Sequence, residues 1–143
     1  MRLAVLLAAV CVCGCGSSPK HVVVHVRGSS TSGANTTRCF LLIRQHVAGG
    51  GTASYCLETY SGRPGPNATL KDQGVITFSL PHRTVRARVH IVATFAADGR
   101  HAKQTLRGTV IGGGSIAGGG PYVESPRGHV ASSDLRYVIA LTG

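Results

Sequence analysis

Between Thr84 and Ala96 the apolar residues Val85, Ala87, Val89, Ile91, Ala93 and Phe95 alternate with Arg86, Arg88, His90, Val92 and Thr94. A period of two is the signature of an extended strand, whose successive side chains point to opposite faces. One face of this strand must meet a core and the other must meet solvent, the usual state of an antiparallel sheet. Asp98-Gly99 follows directly, a pair suited to a tight hairpin turn leading into another strand. Tyr137, Ile139 and Leu141 give the C-terminal segment a similar apolar face.

The remainder of the chain has the same texture. Strands are expected at His21–Arg27, Cys39–Val47, Ala53–Tyr60, Gly74–Leu80, Thr84–Ala96, Ala102–Ile111, Gly128–Ser132 and Arg136–Leu141, with no helical period sustained over three turns. Turn-forming residues fill Gly28–Thr37, Gly49–Gly51, Ser61–Asn67, Ala97–Gly99 and Gly112–Pro121. Twenty glycines and no tryptophan among 143 residues fit strands joined by turns. A chain of this length supports one domain with one core. Consecutive antiparallel strands with short turns predict an all-β fold, an eight-stranded antiparallel β-barrel in which closure removes free edges. A two-sheet β-sandwich is the alternative.

The N-terminus reads as an export signal. Met1-Arg2 supplies a positive start, and Leu3 to Val12 forms an apolar run of about ten residues, the length of a signal-peptide core. A spanning helix needs about twenty. Val12-Cys13-Gly14-Cys15 resembles a bacterial lipobox, so residues 1–15 are expected to be a lipoprotein-type signal ending at Cys15, the lipidation site. Residues 16–20 are then a tether and 21–143 a single barrel domain. Acylation of Cys15 leaves Cys39 and Cys56 as the only thiols of the mature chain, an even number that suits a disulfide in an oxidising compartment. Two separate buried thiols are the alternative.

The run Gly108-Thr109-Val110-Ile111-Gly112-Gly113-Gly114-Ser115-Ile116-Ala117-Gly118-Gly119-Gly120-Pro121-Tyr122, continuing to Arg127-Gly128-His129-Val130, is similar to a glycine-rich segment of the dirigent and allene oxide cyclase-like barrels. Gly74-Val75-Ile76-Thr77-Phe78-Ser79-Leu80-Pro81 resembles a barrel strand of small exported bacterial relatives. The resemblance covers residues 39–143. It implies an eight-stranded antiparallel barrel whose interior admits a small apolar molecule; the acidic and polar residues on which the plant members' activities depend find no matching set here, so no catalytic residue is carried over.

Glu58 and Tyr55 are the candidates for polar side chains inside the barrel. Glu58 lies two residues beyond Cys56 and shares its strand face. Facing inward, it is a buried carboxylate with a raised pKa, able to act as an acid or base. Facing outward, it is a surface group paired with an arginine, and this is the preferred reading. His21 and His25 flank Val22-Val23-Val24, which argues for a strand, and there they stand about 13 Å apart, too far to share a metal ion. Gly112-Gly113-Gly114 lacks the ending and following helix of a phosphate loop, and Ser115 sits in no nucleophile elbow. No metal or cofactor is expected.

Charge is the outlying property of the composition. Fifteen Lys and Arg face five Asp and Glu, an imbalance that favours acidic partners. Arg86, Arg88 and His90 form a basic stripe suited to anions, with Arg44, His46, His82, Arg83 or Arg107 as candidates to join it from neighbouring strands. Aromatic residues are not interleaved with the stripe, so base stacking is unsupported and no nucleic-acid partner is expected. The leading expectation is an exported barrel, lipid-anchored to the membrane or secreted if Cys15 is not acylated, that binds a small apolar ligand or another partner. An isomerase or cyclase acting in the cavity and a basic adhesion module for anionic envelope polymers or membranes are the alternatives.

Overall fold

Alternation like that of Thr84–Ala96 recurs around the whole molecule, and its inward sets meet in one core. The computed structural model describes residues 18–33, 39–126 and 129–142. Eight strands follow in chain order: β1 (Lys20–Gly33), β2 (Leu41–Val47), β3 (Thr52–Ser61), β4 (Thr69–Leu80), β5 (Arg83–Phe95), β6 (His101–Val110), β7 (Gly114–Glu124) and β8 (Val130–Leu141). Each pairs antiparallel with the next, and β8 pairs with β1, so the sheet closes into a barrel. The alternative of two stacked sheets is not adopted. Closure leaves no strand edge with unpaired backbone groups.

The inward face of β5, from Val85 to Phe95, is buried throughout, while Arg86, Arg88 and His90 are exposed. Tyr137, Phe78, Ile76, Leu106, Ile116, Ile139 and Val26 are the largest fully buried side chains. Burial of each such apolar group contributes about 1.5–3 kcal/mol. The two ends of the barrel differ. Val26, Val47, Phe78, Val85, Val110 and Ile139 pack the end that carries the β2–β3, β4–β5 and β6–β7 turns. A separate small cluster of Leu70, Ala93, Phe95 and Ala102, with Tyr122 against it, lies towards the opposite end.

Three expectations from the sequence need correction. Gly112–Pro121 was expected to be a turn, but β7 begins at Gly114 and runs through it. Gly118, Gly119 and Gly120 adopt φ values of 152°, 147° and 152°, extended conformations on the positive side that only glycine reaches comfortably. A Cβ on Gly119 would lie 1.9 Å from the Gln104 carbonyl oxygen on β6, so the glycines permit a close strand approach. The second correction is that Gly128–Ser132 and Arg136–Leu141 are not two strands, since β8 is continuous from Val130. Its poor strand formers are satisfied by β1: Arg27 Nε bonds Asp134 Oδ1 at 3.2 Å, and Ser133 Oγ donates to the Gly28 carbonyl at 3.0 Å. Third, β1 extends beyond Arg27 to Gly33 through a register irregularity between Val26 and Ser30. The expected hairpin at Asp98-Gly99 is present, with Asp98 Oδ1 accepting the Arg100 and His101 backbone N–H groups at 2.9 Å each.

Candidate functional site

A cavity of about 220 Å³ occupies the less tightly packed end of the barrel. By volume it has room for roughly seven waters or one small organic molecule. Its walls are mainly Leu41, Ile43, Leu57, Leu70, Ile91 and Leu135, all on inward positions of their strands. Small side chains create the space: Ala93 on β5 lines it directly, and Gly118 and Gly120 put no side chain on the inward face of β7.

Polar groups enter at separate heights. At the base, Tyr55 on β3 and Tyr137 on β8 bring their hydroxyls to 3.0 Å, and Gln104 Nε2 on β6 donates to Tyr137 Oη at 2.7 Å. Tyr137 is fully buried and packs against Phe78 with ring centroids 5.8 Å apart. Burial holds the Tyr55 phenol well above its ordinary range, reinforced by Tyr137. It raises Tyr137 as well, with the bonds from Tyr55 and Gln104 opposing. Both are therefore neutral hydrogen-bonding groups near pH 7. On the β2 side, Gln45 is 5% exposed and donates from Nε2 to Ser133 Oγ at 3.0 Å.

Two carboxylates complete the lining. Asp72 on β4 is 8% exposed, and its Oδ1 has no hydrogen-bond partner. Burial pushes its pKa up to about 6, the nearby charge of Glu124 adds to the rise, and a backbone bond from Ser61 opposes it. Glu124, at the end of β7, is raised by burial. Among the described residues, no lysine, arginine or histidine lines the cavity.

The candidates named from the sequence separate clearly. Tyr55 is inside, whereas Glu58 is on the outer face, so the carboxylates of the cavity are Asp72 and Glu124 and not Glu58. The register of β3 against β4 shifts between Leu57 and Thr59, and Glu58 sits at that irregularity with its Oε2 3.8 Å from Arg88 Nη1. Cys39 and Cys56 form a disulfide with Cα atoms 5.1 Å apart. The bridge closes a 17-residue separation and is worth about 3 kcal/mol in the chain-entropy account. It ties the segment leading into β2 back to β3, beside the terminal Leu41–Leu57 pair of the β2–β3 ladder. Cys15 and the pair at 127–128 lie outside the described residues.

Arg86, Arg88 and His90 stand on the outer face of β5, as the alternation requires. Register adds Arg107, directly opposite His90 on β6, together with Lys103 opposite Thr94 and Lys71 opposite Val92. Arg44 and His46 do not join this band, because β3 and β4 separate β2 from β5. His82 lies in the β4–β5 turn and Arg83 at the first position of β5.

Sequence reasoning missed Asp72, Glu124, Gln45 and Gln104. The signal for Asp72 was present: Leu70, Asp72, Gly74, Ile76 and Phe78 share one parity, so starting the strand at Thr69 instead of Gly74 turns Asp72 inward. Glu124 likewise shares parity with Tyr122 and was obscured by Ser125-Pro126. The chain matches no family model, no curated protein and no solved structure.

Proposed function

We propose that the protein is an exported, lipid-anchored barrel that binds a small, largely apolar ligand in the open end of its interior. The observation that carries this reading is the cavity itself, walled by aliphatic side chains with a few converging polar groups, the usual make-up of a small-molecule site. The N-terminal leader with its lipobox-like Cys15, and a disulfide between the two remaining thiols, support export. The acylated residue is Cys15, and mass spectrometry of the mature N-terminus tests that assignment.

Binding is tested by titration with 2-phenylethanol, followed by amide NMR. Shifts are expected at Leu57, Ile91 and the Gln104 side-chain amide, and Ala93→Leu should abolish them by filling the space. Shifts confined to the outer face, or binding unchanged in Ala93→Leu, would overturn the reading.

A second reading rests on the cationic band of β4, β5 and β6. Lys71, Arg86, Arg88, His90, Lys103 and Arg107 project from one outer face, and this favours contact with anionic envelope polymers or lipid headgroups. The two readings use opposite faces of the same strands and are compatible.

A further inference from the structure

The five carboxylates of this chain divide into two groups. Glu58, Asp98 and Asp134 are exposed and each is paired with a cationic or ionisable neighbour: Arg88, His101 and Arg27. Asp72 and Glu124 line the cavity, and among the described residues neither has a cationic partner. In a chain with fifteen Lys and Arg, pairing these two would have needed only one inward-facing cation. Among the described residues, none that lines the cavity supplies it.

From this division we infer that the cavity binds a small organic cation, an apolar molecule bearing one protonated amine, with Asp72 receiving the ammonium and Glu124 adding to the attraction. The inference rests on the ligand-binding reading above and narrows it to a chemical class. A buried carboxylate oxygen without a partner is costly to keep, and an N–H donor from a ligand would satisfy it. An ammonium also neutralises the charge that Asp72 and Glu124 impose on each other, which a neutral donor does not. An anionic ligand would bring a third negative charge into a space where no described lining residue carries a cation to offset it.

The surroundings of Asp72 fit this role. Glu124, the neutral phenol of Tyr55 and the Tyr122 side chain are the titratable groups among the described residues that share the cavity with it, while β5 turns Ile91 and Ala93 inward. Lys71 and His90, its nearest basic neighbours in register, are exposed on the outer face. The aliphatic walls would hold the body of the ligand, and the polar groups at the base leave its far end a choice of Tyr55 or Gln104.

Three probes of one shape and different charge test the inference: 2-phenylethylamine, 2-phenylethanol and phenylacetate, each titrated at pH 7.5 by calorimetry with NMR to locate the site. The amine should bind about tenfold or more tightly than the alcohol, the increment of one charge-assisted hydrogen bond, and phenylacetate should bind most weakly. Asp72→Asn, which keeps the shape of the side chain, should remove the amine's advantage and leave the alcohol bound; Glu124→Gln should reduce that advantage. Equal binding of amine and alcohol, tighter binding of phenylacetate, or an amine preference that survives Asp72→Asn would overturn the inference while the cavity remains a binding site. Failure of all three probes to bind would overturn both.

Discussion

Tyr55 and Tyr137 meet across the barrel interior through their hydroxyls, 3.0 Å apart, and tie β3 to β8 at the base of the cavity. The two hydroxyls are not equivalent, because Tyr137 also accepts from Gln104. Removing the Tyr55 hydroxyl leaves Tyr137 and Gln104 paired, so Tyr55→Phe should cost about 1 kcal/mol or less. Removing the Tyr137 hydroxyl leaves both Tyr55 and Gln104 without their partner in a buried setting. Tyr137→Phe should therefore cost about 2–3 kcal/mol, measured by urea denaturation followed by circular dichroism. Equal losses would mean that the three groups do not act as one network.

Asp72 should make the fold less stable as the pH rises. Its folded-state pKa, about 6, lies above the value of 3.8 for the free side chain, so the folded form binds the proton more tightly than the unfolded form. The associated stability is fully present below about pH 4 and is lost as the pH rises through about 6. The full difference corresponds to about 3 kcal/mol, reduced to roughly 2 kcal/mol by solvent screening at the cavity mouth, which Asp72→Asn should recover above pH 7. Thermal melts of the two proteins at pH 4 and pH 7.5 check this: the gain should appear at the higher pH and nearly vanish at the lower. An acid that weakens its own fold is the pattern of a residue retained for binding.

Glycine spacing in β7 should be far less tolerant than glycine in a turn. Gly119 has a positive φ, and a Cβ there would strike the Gln104 carbonyl oxygen of the neighbouring strand, so Gly119→Ala should cost more than 3 kcal/mol or prevent folding. Gly65, in the β3–β4 turn, has nothing within 4 Å of the same added atom. Gly65→Ala should change stability by less than about 0.5 kcal/mol, measured by the same urea transition. Similar tolerance at both positions would mean that β6 and β7 need not approach so closely.

The same glycines show where sequence patterning succeeds and where it fails. β5 was legible in full because its alternation involves large side chains on one face and charged ones on the other. β7 was not, since a strand of Gly118, Gly119 and Gly120 has no side chains to alternate and matches the composition of a turn. Asp72 was hidden for a different reason. A carboxylate beside Lys71 and Gln73 reads as a solvent-facing end, and Asp72 falls inward only once β4 is started at Thr69, so that the parity of Ile76 and Phe78 carries back through it to Leu70. Parity alone separates Tyr55 from Glu58, because an odd spacing along β3 puts them on opposite faces, and the register shift of β3 against β4 comes only after Leu57.

The outer band on β4, β5 and β6 should behave as an electrostatic surface independent of the cavity. Arg86, Arg88 and Arg107 are exposed, and Glu58 is the one carboxylate among the described residues paired with any of them. Each such cation near an anionic lipid surface contributes about 1 kcal/mol, so neutralising all three together should weaken binding to phosphatidylglycerol vesicles by about a hundredfold. Raising the salt from low to physiological strength should weaken it as well, because exposed charges are screened over about 10 Å at 0.1 M. Sedimentation of vesicles with the protein lacking its lipid measures both effects. Ala93→Leu should leave this binding intact, while the triple arginine variant should leave 2-phenylethanol binding intact. Vesicle binding that ignores both salt and the three arginines would remove the adhesion reading and leave the cavity as the protein's one proposed binding site.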